Sequence, residues 1–172
     1  MQGLPTAISL SEYLGEAHQP DCDLVDGAIE ERNLGEYPHS KLQLELGFWF
    51  RLHAAEWQIN PLVEQRIQIS AARVRVCDVC LLRADAPREN VIVTAPLLCV
   101  EILSPEDRLS RAVTVLEDYR TLGVPQSWLL DPVRRSAYVF SGAGLHQVAG
   151  DRLELPGTAV HVELSTLFAA LD

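Results

Sequence analysis

The chain has almost no lysine. Of its fourteen basic residues, Lys41 alone is not arginine, so any chemistry that needs a primary amine has one candidate. Long hydrophobic runs are missing too. Runs such as Ala95 to Val100 are soon interrupted by charge, and nothing approaches the ~20 apolar residues that span a bilayer. Met1 to Pro5 carry neither a basic region nor an apolar run, so no signal peptide is expected and the expected location is cytoplasmic. Repeats, linkers and low-complexity tracts are absent as well, which argues against collagen, coiled coil and disorder. A positive surplus is also lacking, since 14 basic against 24 acidic side chains give a net charge of −10. Such a surface repels phosphate backbones at long range, and nucleic-acid contact would need a local basic groove.

What is present fits a single domain over residues 1–172, with 48% apolar and 22% charged residues. A chain of this size buries roughly 70% of its unfolded surface without a staple. Its four cysteines, Cys22, Cys77, Cys80 and Cys99, come without secretory features and are expected as reduced, buried thiols. Cys77-Asp78-Val79-Cys80 is formally a CxxC, but it lies in a run rich in valine that reads as a strand. Residues three apart on a strand point to opposite faces, so the two sulfurs are not expected to share an ion.

Periodicity and punctuation give the order of elements. Ser9 or Ser11 caps a short helix to about Glu16, with Glu12 completing a capping box on Ser9. Asp26-Gly27 is a two-residue hairpin signal between strands at Leu24-Val25 and Ala28 to Arg32. Asn33 to Pro38 reads as a loop, and a helix follows from His39, with Leu42, Leu46, Trp49 and Phe50 on one face. Asn60-Pro61 breaks the chain before a strand at Leu62 to Ser70, and Ala71-Ala72 turns into the strand holding Cys77 and Cys80. Ala95 to Ser104 is an apolar strand of the kind covered on both faces. Ser104-Pro105 then opens a helix to Leu122, stopped by Gly123. A strand at Ser127 to Leu130, a hairpin around Gly142 and Gly144, and a helix from Leu164 complete the chain. The expected fold class is α/β (α+β), one mixed sheet flanked by helices.

Two carboxylates stand out because each interrupts an apolar strand: Asp78 between Cys77 and Val79, and Glu101 between Val100 and Ile102. A buried acid is costly unless it is paired or ligates a cation. On neighbouring strands the two would converge, and their oxygens would suit Mg²⁺, which can activate water and offset phosphate charge. Pairing of each acid with a nearby arginine or with backbone N–H groups is the alternative.

Leu24-Val25-Asp26-Gly27, His39-Ser40, Cys77-Asp78-Val79, Val100-Glu101-Ile102-Leu103-Ser104-Pro105, Tyr119, Gly123-Val124-Pro125 and Trp128-Leu129-Leu130-Asp131-Pro132 together carry a resemblance. In order and spacing they resemble the Uma family of bacterial proteins named as restriction endonucleases, within the PD-(D/E)XK nuclease superfamily. The resemblance covers nearly the whole chain and implies a restriction-endonuclease-like core, with Asp78 and Glu101 as metal-binding catalytic acids. The superfamily lysine two residues after the glutamate is Leu103 here, and the displaced family lysine corresponds to Val115. The proline of the first motif is Cys77.

Losing that lysine removes a cation that stabilises the transition state, an effect of orders of magnitude in rate. Arg111, one turn before Val115, is the candidate replacement, with Arg108 on the same face. Lys41 is expected to face solvent. His39 matches the family histidine and is a candidate site residue, and Glu31 is a candidate third metal-facing acid. Arg66, Arg73 and Arg75 form the best available DNA-contact patch, unless they pair with carboxylates. The expected function is a metal-dependent DNA endonuclease, using Mg²⁺ or Mn²⁺ bound weakly and slowed by Val115. A catalytically inactive nuclease-fold binding or scaffold protein is the alternative. A homodimer is expected, covering the strand edges around Ala137 to Val148 and the apolar C-terminal segment.

Overall fold

A computed structural model describes residues 7–17, 21–33 and 35–172; the reading of Met1 to Pro5, and of position 34 in the first loop, lies outside them. Helix α1 (Leu10–Gly15) leads into strands β1 (Cys22–Val25) and β2 (Ala28–Glu31). Helix α2 (Tyr37–Trp57) precedes the long strands β3 (Ile59–Ser70) and β4 (Arg73–Arg83), then β5 (Leu98–Ile102). Helix α3 (Leu109–Leu122) is followed by β6 (Ser127–Asp131), β7 (Ser136–Ser141) and β8 (Gly144–Gln147). A small pair, β9 (Arg152–Glu154) and β10 (His161–Glu163), and helix α4 (Leu164–Ala169) close the chain.

Among the described residues the main sheet runs β2-β1-β4-β5-β6-β7-β8, with β3 also on β4. Its pairings are antiparallel except β5 with β6, so the sheet is mixed, as expected. Strand β5 shows how the layers form. Leu98, Val100 and Ile102 join the core that contains Leu42, Leu46 and Phe50 of α2, while Cys99 joins the core that contains Leu116 and Tyr119 of α3. Alternation along the strand therefore places one helix on each face. Leu42, Leu46 and Phe50 are completely buried, each worth about 1.5–3 kcal/mol of transfer free energy. Among the described residues no helix is long and apolar enough to cross a membrane.

The local signals hold where chemistry forces them. Ser9 caps α1, and Glu12 closes the capping box. Asp26 and Gly27 both have positive φ, 51° and 84°, as a type I′ hairpin turn requires.

Several boundaries differ from expectation. Helix α3 begins at Leu109, not Pro105, because Asp107 first closes a turn: its N–H donates to the Ser104 carbonyl, and its carboxylate accepts from the Ser104 N–H. Strand β3 starts at Ile59 and passes through Pro61, which needs no N–H where, among the described residues, β3 has no strand on its outer side. The strand expected from Ala95 is ordered as strand only from Leu98. The apolar C-terminal segment is not an open face, since Leu164, Leu167 and Phe168 are buried in the chain's own core. Strand β8 remains an edge.

The expected opposition of Cys77 and Cys80 also fails. Both lie in the apolar cluster that includes Cys99, and all four cysteines are free and buried. The pleat is irregular here: Val63 pairs with Val79 and Gln65 with Cys77, but the intervening Glu64 and Asp78 do not pair.

Candidate active site

Strand β4 is crowded on one edge and interrupted on the other. Strand β3 follows it from end to end. The other edge is shared by β1, opposite Val74 and Arg73, and β5, opposite Val79 to Leu81. Between those two segments the backbone ladder gives way to carboxylates. Asp23 Oδ1 accepts from the Val76 N–H at 2.9 Å, and Asp78 Oδ2 accepts from the Ile102 N–H at 2.7 Å. Buried N–H groups need partners, and here acids supply them, which draws acids into the sheet.

The β4–β5 register ends with Val79 opposite Val100, and Asp78 and Glu101 are the next residues along the two strands. Both line a cavity of about 60 Å³ at this end of the sheet, with room for a few water molecules. Asp78 is almost fully buried. Glu101 Oε1 accepts from the Tyr119 hydroxyl at 2.6 Å. Burial, reinforced by the nearby Asp78 and by Cys77, pushes the Glu101 carboxyl well above its ordinary range; Arg32 and Tyr119 oppose this only in part.

His39 stands at the start of α2, buried and lining the cavity, with Nε2 3.2 Å from Asp78 Oδ2. Burial disfavours its protonation, but the hydrogen bond and charge of Asp78 outweigh that and hold its pKa above the ordinary value. Its Nδ1 has no partner among the described residues. Arg111 lines the cavity rim and donates to the Glu31 carbonyl at 2.7 Å. Val115 also lines the cavity, so the position at which the family resemblance implies a lysine carries a hydrocarbon. Lys41 lies elsewhere, paired with Glu45 at 2.7 Å.

One expectation is corrected. Glu31 is exposed and does not line this cavity; strand alternation turns its neighbour Glu30 toward Arg75, 3.2 Å away. For the three arginines the structure shows the pairing alternative. Arg75 is buried against Asp23 and Asp118, Arg73 pairs with Asp118 and Asp26, and Arg66 lies near Asp21 and over the Tyr13 ring.

Three residues escaped the sequence reading. Arg32, just beyond β2, spans two acids: one Nη is 2.5 Å from Asp78 Oδ1 and the other 2.5 Å from Glu64 Oε2. Burial alone would lower its pKa, yet Asp78, Glu101 and Glu64 together raise it above the ordinary value. Glu64 has φ of +49°, a left-handed conformation that costs a non-glycine residue about 1–2 kcal/mol. That irregularity falls opposite Asp78 and accompanies a side chain turned to Arg32 and to Gln43, whose Nε2 reaches Glu64 at 2.6 Å and the Asp78 carbonyl at 3.0 Å. Arg32 could have been suspected only as a base directly after two glutamates.

Hard oxygen donors such as these suit Mg²⁺ in kind, but their partners decide the fit. Asp78 Oδ2 is taken by His39 and the Ile102 N–H, and Oδ1 by Arg32. A divalent ion about 2.1 Å from Oδ1 would stand within about 5 Å of the Arg32 guanidinium. Charges of +2 and +1 at that distance repel by about 7 kcal/mol at an effective dielectric of ~20. No cluster of three or more acid, histidine or cysteine ligands forms among the described residues. The arrangement with Arg32 in place does not fit a divalent cation.

The family model of Uma2, described as "Putative restriction endonuclease", matches residues 9–167. The chain belongs to the Uma2 family. A solved structure supports the architecture: a crystal structure from Anabaena variabilis, described as "a putative nuclease belonging to DUF820", superposes with a TM-score of 0.86. It is 21% identical, over 96% of this chain and 99% of that one, and at that identity it speaks for the fold alone. No curated protein matches this Uma2 chain in sequence.

Proposed function

We propose that this chain is a DNA endonuclease of PD-(D/E)XK type, hydrolysing phosphodiester bonds in the Asp78–Glu101 cavity, that Mg²⁺ or Mn²⁺ would assist there only with Arg32 displaced, and that its turnover is slow. One observation carries the reading: two acids on neighbouring strands face a single cavity, in a chain whose family is described as restriction endonucleases. His39 and the Ile102 N–H hold the Asp78 carboxylate, while Tyr119 holds Glu101. Arg111, with one nitrogen on the Glu31 carbonyl, keeps other N–H groups for a phosphate at the rim. Val115 supplies no charge, so the transition state lacks a donor of a kind typically worth orders of magnitude in rate. Activity on DNA implies the cytoplasm as the place of work, and a second copy along the open β8 edge would supply a second site for a second strand. Light scattering should then return the mass of two chains.

A second reading is a nuclease-fold binding or scaffold protein without activity. It is favoured by Arg32, which occupies the acids that catalysis would use. Supercoiled plasmid incubated with millimolar Mg²⁺ or Mn²⁺ separates the two. The nuclease reading expects slow nicking that disappears in Asp78→Ala. Nicking that survives Asp78→Ala refutes the site, and no nicking by wild type or by Arg32→Gln establishes the inactive reading.

A further inference from the structure

Arg32 has an arrangement more specific than a surface ion pair. Its side chain is only 18% exposed, and it links a nearly fully buried acid, Asp78, to a half-exposed one, Glu64. It reaches Asp78 through Oδ1, the oxygen that His39 and the Ile102 N–H leave open. Glu64 takes the other Nη from a backbone conformation unfavourable for glutamate, and Gln43 holds the opposite oxygen of that same carboxylate. The strained residue thus presents an anchor to Arg32, fixed by a second side chain. Within the acid pair's own cavity, a guanidinium sits on the lone pairs that a metal ion would use.

We propose that Arg32 is a built-in competitor for the divalent cation, anchored by Glu64, so that Mg²⁺ or Mn²⁺ enters the Asp78–Glu101 cavity only when the guanidinium leaves. The inference rests on reading that cavity as the family's metal site, and it assigns Glu64 the role of Arg32's anchor, not that of a metal ligand. The two roles predict opposite signs. If Glu64 anchors Arg32, its neutralisation loosens the guanidinium and strengthens cation binding. If Glu64 is a ligand, neutralisation removes negative charge from the metal and weakens binding.

The test measures Mn²⁺ binding to the whole chain without DNA, from the loss of the free-ion electron paramagnetic resonance signal. Wild type, Arg32→Gln, Glu64→Gln and Arg32→Gln/Asp78→Ala are compared, with thermal unfolding as a check on folding. Arg32→Gln should bind Mn²⁺ at least tenfold more tightly than wild type, Glu64→Gln more tightly but by less, and the double variant no better than wild type. Arg32→Gln that folds and binds no more tightly than wild type overturns the proposal. Glu64→Gln that binds equally or more weakly overturns it too, and this half-exposed position decides the matter if Arg32→Gln does not fold. An Arg32→Gln protein that gains Mn²⁺ but cuts no DNA supports this inference while refuting the nuclease reading, so the two fail separately.

Discussion

Glu101→Gln should make the metal-free protein more stable, and the gain should depend on pH in a defined direction. The substitution keeps the shape and leaves an oxygen to accept the Tyr119 hydroxyl, now 2.6 Å from the carboxylate. It removes a charge that burial and Asp78 disfavour. Because the folded pKa lies above the ordinary 4.5, the native state retains a proton that the unfolded chain releases. Wild-type stability from this group is therefore complete below about pH 4.5 and is lost as pH rises through the folded pKa. Glutamine has no such loss. The difference between the two proteins should be near zero in acid, grow above pH 4.5, and level off once Glu101 ionises in the native state. Each pH unit by which the folded midpoint is displaced corresponds to about 1.4 kcal/mol, and each kcal/mol to about 2–4 °C of Tm in a chain of this length. Glu101→Ala should fall below Glu101→Gln at every pH, because it leaves the fully buried Tyr119 hydroxyl unpartnered at a cost of about 1–3 kcal/mol. Thermal unfolding followed by circular dichroism in chelator, from pH 4 upward, decides the question. A Glu101→Gln protein less stable than wild type at pH 8, or a difference that does not vary with pH, would show that Glu101 is a stabilised anion and that the reasoning is wrong.

Arg75→Met should destabilise the fold by about 3–5 kcal/mol, because Asp23 and Asp118, both buried, lose the guanidinium 2.9 and 2.8 Å away. Chemical denaturation that shows less than 1 kcal/mol of loss would mean the cluster is worth little. Val115→Lys places an ammonium on the cavity wall and, in the Arg32→Gln background, should raise Mn²⁺-dependent nicking by about tenfold or more; an unchanged rate would show that this wall does not face the scissile phosphate.

What could be read from the sequence tracks the range of the forces involved. The Asp26-Gly27 turn, the Ser9 capping box and the apolar strand around Val100 each depend on a few consecutive residues, and each is found. The two acids could be singled out because a carboxylate inside an apolar strand is anomalous on its own. Their meeting in one cavity needed only that the two strands be neighbours, as the β4–β5 pairing makes them. Helix α3 was misjudged at its start because Ser104, Pro105, Glu106 and Asp107 are all good first-turn residues. The choice was made by the Asp107 carboxylate, which also takes the Asn33 amide from a distant loop at 2.6 Å. Glu31 stands out as the acid that ends the strand of the first hairpin, but the pleat of β2 sends Glu30 to Arg75, while Arg32, one residue beyond the strand, reaches Asp78.

Glu64 could not have been found by periodicity at all. In a regular strand its side chain would follow the alternation of Val63 and Gln65; only the left-handed backbone at that one position breaks the pattern, and nothing in the tripeptide Val63-Glu64-Gln65 demands it. The conformation is unfavourable locally, so its compensation must lie in the contacts it makes, with Arg32 and Gln43. A charged residue held against its own backbone preference, opposite the acid that the family resemblance marks as catalytic, is placed where strain tends to be kept for function rather than stability. The same residue is therefore both the least legible part of the site from sequence and the position where a single neutral substitution separates an anchored guanidinium from a metal ligand.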